Sequence, residues 1–410
     1  MVSVCFYFQV HQPDRLRHYS IFDIGNHDYF DHAKNREVVQ KVAKKCYIPM
    51  NKLLLKLIRQ HQGRFKVAFS ITGTALDQFA RYTPYVLKLF QELADTGCVE
   101  FLAETYYHSL SFLYNKEEFD AQVALHKARI KELFNQEPRV FRNTELIFNN
   151  ELAHHLQAQG FDAVLAEGAD HILGWRSPNF LYTAVTAPHI KLLLKNYKLS
   201  DDIAFRFSNK SWEEHPLTVD KYVHWINAVN GNGHTVNLFM DYETFGEHQW
   251  EDTGIFSFME HFPSAFLAHP DNNFKTPSEL AAQYPAVGEL DIHAPISWAD
   301  LERDLSAWLG NRMQTTAMDE LYKLKDAVMA TGDEKIIDDW RRLTTSDHFY
   351  YMCTKWFSDG DVHKYFNPYD TPYEGYIAFM NVLNDFALRI NAQRPAAKPV
   401  ITETPSTLIN

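Results

Sequence analysis

The strongest constraint on this chain is a change of period that recurs through roughly its first 250 residues. Short, almost continuous apolar runs alternate with longer stretches whose apolar residues return every three to four positions. The runs 2–11, 65–73, 99–104, 140–146, 163–168, 190–196 and 235–243 read as strands, and 35–61, 76–96, 117–135, 149–159 and 218–230 read as helices. A strand with one wet face alternates polar and apolar residues. These runs do not, so both their faces are covered, as in a parallel sheet. Strand–helix–strand order with right-handed crossovers leads to a parallel α/β sheet or barrel. Seven strands are one short of the eightfold barrel. The stretches 170–190 and 197–217 read as long loops.

Beyond residue 260 the texture changes. Residues 261–295 are rich in Pro, His and Asn with little periodicity and read as an irregular connection. From 296 to 392 the pattern is helical, over 297–310, 312–331, 334–344, 346–357 and 373–391. Residues 393–410 carry Pro395, Pro399 and Pro405 and read as an irregular tail. The expected architecture is a barrel over 1–260 followed, after the connection, by a helical bundle.

Charge narrows the partners. With 40 basic and 52 acidic residues the net charge is −12, and no basic run offsets it, so nucleic acid is not an expected partner. The 30 Phe, 21 Tyr and 8 Trp suit a ligand with flat apolar faces and polar rims, such as a sugar. Cys5, Cys46, Cys98 and Cys353 form no CxxC motif, which implies neither a disulfide framework nor a zinc knuckle. No apolar run is long enough to span a membrane, and MVSVCFYFQVHQP reads as a strand rather than a leader. A cytoplasmic protein without membrane contact is expected.

In βα-barrels the chemistry sits at the C-terminal ends of the strands. Here those ends carry Gln9 and His11, Glu100 and Glu104, Glu145, Glu167, and Asp241 with Glu243. Pro13 stops the first strand and so puts His11 at the rim. In a ring of seven, the fourth and seventh strands lie nearly opposite each other, so Glu145 and Asp241 can face across a cleft. Two facing carboxylates near aromatics meet the requirement for glycoside hydrolysis. The alternative for each acid is a helix cap or an ion pair with a neighbour such as Arg142. YYHSL, with His108, follows Glu104 and supplies an aromatic with a polar tip. MDYETFGEHQW (240–250) is the densest polar segment, and SDHFYYM (346–352) sets Asp347 and His348 inside a helical run.

Rival chemistries lack their motifs. GxGxxG, the Walker loop, GxSxG and HExxH are all missing, no two His are four apart, and the single HxD joins His269 to Asp271 in the connection. No metal and no cofactor are expected, which disfavours a metal-dependent carbohydrate deacetylase.

HQP (11–13), GCVEFLAETYYH (97–108), FRNTEL (141–146), MDYETFGEH (240–248) and SWADLERDLSAWLGNRMQ (297–314) resemble, in order, the motifs of glycoside hydrolase family 57, particularly its α-amylase subgroup. The resemblance implies an incomplete (β/α)7 TIM-like barrel whose active site is completed by the helical bundle. It implies retaining cleavage of α-1,4-glucosidic bonds in maltodextrin-, starch- or glycogen-type glucans, with Glu145 as nucleophile and Asp241 as general acid/base. His11, Glu100, Glu243, Trp298 and Asp347 match site-lining positions, Trp298 offering a ring face to a glucose unit. The strand reading itself brings Gln9, Glu104 and His108 to the same rim as substrate-binding candidates. A 4-α-glucanotransferase or branching enzyme would use the same site, and a catalytically silent glucan-binding protein would keep its shape.

Overall fold

The computed structural model describes residues 2–357 and 367–393. Among the described residues ten strands form two sheets. The first holds β1 (Ser3–Val10), β2 (Val67–Ile71), β3 (Val99–Phe101), β8 (Thr235–Asp241) and the short β9 (Asn273–Phe274). The second holds β4 (Val140–Arg142), β5 (Ala163–Glu167), β6 (Tyr182–Ala184), β7 (Ala187–Lys195) and β10 (Glu289–Leu290). Their orders are β3-β2-β1-β8, with β9 also on β1, and β10-β6-β7-β5-β4. All pairings are parallel except β6 with β7. The sheets meet at two seams. Ala103 bridges to Phe141 in parallel, and the Asn196 N–H donates to the Asn237 carbonyl at 2.9 Å.

Every residue of β1, β2 and β5 is buried, which is why their sequences show no wet face. Alternation nevertheless divides them into two faces. Val4, Phe6, Phe8 and Val10 pack outward against the helices 32–42, 48–60 and 255–266. Cys5 and Tyr7 point the other way, into a separate cluster with Ala68, Leu102, Val140, Leu165, Leu193 and Phe239. One step further along each strand, that same inner face carries Gln9, Ser70, Glu104, Arg142, Glu167, Lys195 and Asp241. An apolar plug thus ends in a polar layer at the C-terminal ends of the strands.

A third core joins the helices 312–323, 325–331, 334–343 and 372–393 through Met318, Leu321, Trp340, Phe379 and Phe386, and takes in Tyr19, Tyr29 and Ile147 from the first half of the chain. No described helix is long and apolar enough to cross a membrane.

Several elements differ from their periodicity. The stretch 76–96 is two helices, broken at Thr83 because Pro84 starts the second. The helix expected over 297–310 shrinks to Ser306–Leu309, because ion pairs hold the preceding loop open. The stretch 312–331 splits after Lys323, and 346–357 is a short helix, Ser346–Tyr350, followed by a 3-10 turn, Thr354–Phe357. The supposed loops contain helices Asp170–Leu173 and Tyr197–Ala204 as well as β6. The connection 261–295 is not wholly irregular. The helix Ile255–Phe266 runs into it, and Pro277–Gln283 begins with a capping box between Thr276 and Glu279. Of the tail, residues 394–410 lie outside the described residues.

Candidate active site

The polar layer opens into a cavity of about 700 Å³ lined by Gln9, His11, His108, Glu145, Asp241, Glu243, Trp298 and Asp347, among others. Eight of the ten site residues read from the sequence therefore meet there. Those other lining residues include Arg15, Lys195, Asp201 and Arg303.

Glu145 sits in a single turn after β4 with φ 58°, a left-handed conformation unusual for a residue with a side chain. That backbone aims its carboxylate back at the cavity. Oε2 accepts from the Trp298 indole N–H at 2.7 Å. Oε1 lies 3.2 Å from His108 Nε2 and 3.4 Å from the Ser346 hydroxyl. Burial pushes the carboxyl pKa up, but the hydrogen bond and charge of His108 and the charge of Arg142 outweigh it, and the group is held below its ordinary value. Glu145 is the ionised acid of the site.

His108, also left-handed at φ 52°, is held between two carboxylates. Its Nδ1 lies 3.3 Å from Glu104, and its Nε2 contacts Glu145. Burial opposes protonation, yet the two carboxylates lift the imidazole to about 9. Glu104 is fully buried, takes hydrogen bonds from Ser70 at 2.5 Å and Gln9 at 3.3 Å, and is pulled down to about 2 against its burial, chiefly by His108. It does not reach the cavity wall but fixes the histidine that does.

Asp241 closes β8 in register with Gln9 of β1. Its carboxyl is pushed up to about 6 by burial and by the negative charge of Glu145, against the pull of Arg142, Lys195 and His108. Two neighbouring carboxyls are thus driven apart, one ionised and one able to keep a proton near neutrality. Glu243 is raised further, to about 8, by burial and by Asp241, and accepts from the Tyr47 hydroxyl.

Arg142 is wholly buried, and none of its guanidinium nitrogens has a hydrogen-bond partner among the described residues. Its charge lies over the Trp298 ring at 4.9 Å, and Lys195 Nζ lies over the same ring at 5.4 Å. The ring expected to stack on a sugar is thus already engaged by cations, and its N–H is spent on Glu145.

His11 Nδ1 lies 2.9 Å from Thr72 Oγ1, and its Nε2 lies 2.9 Å from Asp347. The ring stacks on His108 at 4.1 Å. Burial and the charge of His108 lower the His11 pKa, while Asp347 is held below its ordinary value, against its burial, by His11. His11, His108 and Asp347 offer ligand atoms within 4.8 Å of one another, which could hold a metal ion. The sequence hid this group because its members come from three separate segments and need no spacing motif. Yet His108 gives both nitrogens to carboxylates and carries a proton to about pH 9. A metal at this group would have to displace that proton and compete with Glu104 and Glu145 for the ring.

Glu100 stands apart from the cavity and corrects its expected place there. It lies within β3, not at its end, and its carboxylate accepts from the backbone N–H of Ser278 at 3.0 Å and from that residue's hydroxyl, at the start of helix 277–283. Lys195, Asp201 and Arg303 were not read from the sequence as site residues. Lys195 ends β7 with a charge after a run of leucines, the same signal that marks Asp241. Arg303 lies in the loop before helix 306–309 and bonds Glu167 at 3.2 Å and the Trp298 carbonyl at 2.6 Å. No strand or helix period announces it.

A family model described as glycosyl hydrolase family 57 matches residues 5–293. A curated protein of Methanocaldococcus jannaschii, named "Putative alpha-amylase", is 44% identical over 397 residues, covering 93% of this chain and 84% of its own. Among solved structures, a family 57 branching enzyme from Pyrococcus horikoshii superposes with a TM-score of 0.66 at 15% identity over 95% of this chain and 94% of its own. The α-amylase AmyC from Thermotoga maritima gives 0.62 at 12% identity over 96% and 94%. The 4-α-glucanotransferase from Thermococcus litoralis gives 0.61 at 16% over 97% of this chain, which spans 60% of that enzyme's length. The family match and the curated relative lead to one conclusion: this chain belongs to glycosyl hydrolase family 57.

Proposed function

We propose that this glycoside hydrolase cleaves α-1,4-glucosidic bonds of maltodextrin-, starch- or glycogen-type glucans by double displacement with retention. The observation that carries this reading is two acids on one cavity in contrasting surroundings, Glu145 held by His108 and Trp298 below its ordinary pKa and Asp241 pushed up to about 6 by burial and by Glu145. Asp241 gives its proton to the glycosidic oxygen while Glu145 attacks the anomeric carbon. The chain that carries the protonated oxygen leaves with a free 4-hydroxyl as its new non-reducing end, and the glycosyl unit stays on Glu145. Asp241, now a carboxylate, then takes a proton from water, which releases Glu145 and the second product. Their carboxyl groups are expected roughly 5–5.5 Å apart, as retention requires. His108 and Trp298 hold Glu145 in place, and His11 and Asp347 are assigned to sugar hydroxyls.

We read the strands joined at the two seams as an incomplete (β/α)7 barrel over 1–260, with 261–295 as connection and 296–392 as the bundle that brings Trp298 and Asp347 to the site. Four unpaired, buried cysteines support a reducing compartment, the cytoplasm. Transfer to a sugar acceptor would use the same intermediate, and two of the neighbours named above are titled as a branching enzyme and a glucanotransferase. Incubation with maltoheptaose separates the readings. Shorter products alone support hydrolysis, a ladder above seven units means transfer, and binding without new products means a silent glucan-binding protein.

A further inference from the structure

The cavity interior is polar, but its mouth is not. Phe205 and Leu301 both line it, yet they are 60% and 89% exposed. A large apolar side chain left in water at the edge of a cleft is a contact surface awaiting a ligand. Leu301 is not loose. It is flanked by Asp300 and Arg303, both left-handed at φ 54° and 55°. Their loop is pinned by Lys355, 3.3 Å from Asp300 and 2.9 Å from Glu302, and by Arg303 on Glu167. Backbone strain held by ion pairs, only to present a leucine to solvent, points to use rather than accident.

A chain of contacts leads from this edge towards Trp175. Helix 197–204, which delivers Phe205, also supplies Asp201 to Lys195 at 3.1 Å. At the start of the same helix, Tyr197 has Arg303 over its ring at 4.9 Å and gives its hydroxyl to Asp170 at 2.6 Å. Asp170 opens the short helix that follows β5, and Trp175 lies just past its end, 92% exposed. No ring or cation packs on Trp175 among the described residues. Trp250 differs, because Lys45 already lies over its ring at 5.4 Å.

We propose that Phe205, Leu301 and Trp175 form an apolar sill that carries a glucan chain several units beyond the scissile bond, so that the enzyme favours polymeric over short α-glucans. The occupant follows from continuity with the catalytic cavity, and the inference rests on the α-glucan reading above. Glucose units in a glucan present flat C–H faces, which suit an exposed indole or phenyl ring. Trp175 lies outside the cavity lining, so a chain must extend past Phe205 and Leu301 to touch it.

The test compares kcat/KM on amylose and on maltotetraose for wild type and Trp175→Ala. The amylose-to-maltotetraose ratio should fall by about fivefold, the worth of one aromatic stacking contact. Phe205→Ala should lower it further. In a Glu145→Gln background, which removes turnover, Trp175→Ala should also weaken retardation of the protein in gels containing amylose. An unchanged ratio with unchanged retardation overturns the sill. A wild type that cleaves neither glucan overturns the reading beneath it instead.

Discussion

Trp298 holds Glu145 twice. Its indole N–H donates to the carboxylate at 2.7 Å, and its backbone N–H donates to the Glu145 carbonyl at 3.2 Å. The first bond stabilises the carboxylate charge, and the second braces the left-handed turn that aims it. Arg142, over the same ring, adds positive charge beside this carboxylate. Trp298 therefore positions Glu145 as well as lining the cavity.

Replacing Trp298 by Phe keeps the ring and deletes the N–H. A hydrogen bond to a charged group is worth about 1.5–3 kcal/mol, so kcat should fall by about ten- to a hundredfold. KM and melting temperature should change little. A large rise in KM with kcat intact would show that the ring binds substrate instead.

The acids set the pH profile. On the proposed mechanism activity needs Glu145 ionised, so it should be lost as pH falls through a pKa held below the ordinary 4.5. It also needs Asp241 protonated, so it is lost as pH rises through about 6. The maximum of kcat/KM should lie on the acid side of pH 6. His108→Gln removes the strongest support for ionised Glu145, and its acidic limb should move upward. An unmoved acidic limb would mean that His108 does not set the charge of Glu145.

Stability should follow His108 as well. Its folded pKa, about 9, lies above its ordinary 6.5, so its contribution is complete below 6.5 and lost as pH rises through 9. Urea midpoints of the wild type should fall across that window. In His108→Gln the fall should be shallower, and an equal fall in both would sink the assignment.

Much of this was legible because burial leaves marks in sequence. Strands covered on both faces lose alternation, and polar residues at or just past their ends, Gln9, Glu145 and Asp241 among them, line the cavity. Glu100 entered the site through the motif match, although the strand pattern favoured Glu104 for the rim. In this chain β3 ends at Phe101, so Glu100 lies within it and binds Ser278. The loop 297–305 looked helical by period. Its real shape depends on ion pairs from Arg303 and Lys355 to residues of other segments or of the loop itself, and periodicity cannot register such partners. The Thr276–Glu279 capping box, by contrast, was present in the sequence as TPSE and marks a helix inside a stretch that composition made look irregular.

The His11–His108–Asp347 group makes a chelator experiment informative. With His108 protonated, turnover should survive long dialysis against a chelator, and added zinc should not raise it. Loss of activity that zinc restores would mean that a metal, and not the paired acids, drives the reaction.

Removing each acid should have a different result. Asp241→Asn should cost about 10²–10⁴-fold on a glucan but far less on a maltoside with a nitrophenolate leaving group, which departs without a proton. Glu145→Gln should lose activity on both, because no covalent intermediate can form. Equal losses in the two variants on the activated substrate would remove the distinction between nucleophile and acid.

The central claim, that Glu145 attacks carbon while Asp241 manages the proton, is tested most directly by the anomeric configuration of the first product. Proton NMR of fresh maltose released from maltoheptaose, recorded before mutarotation, should show the α-anomer first. The β-anomer appearing first would mean that water attacks directly, and would contradict the account.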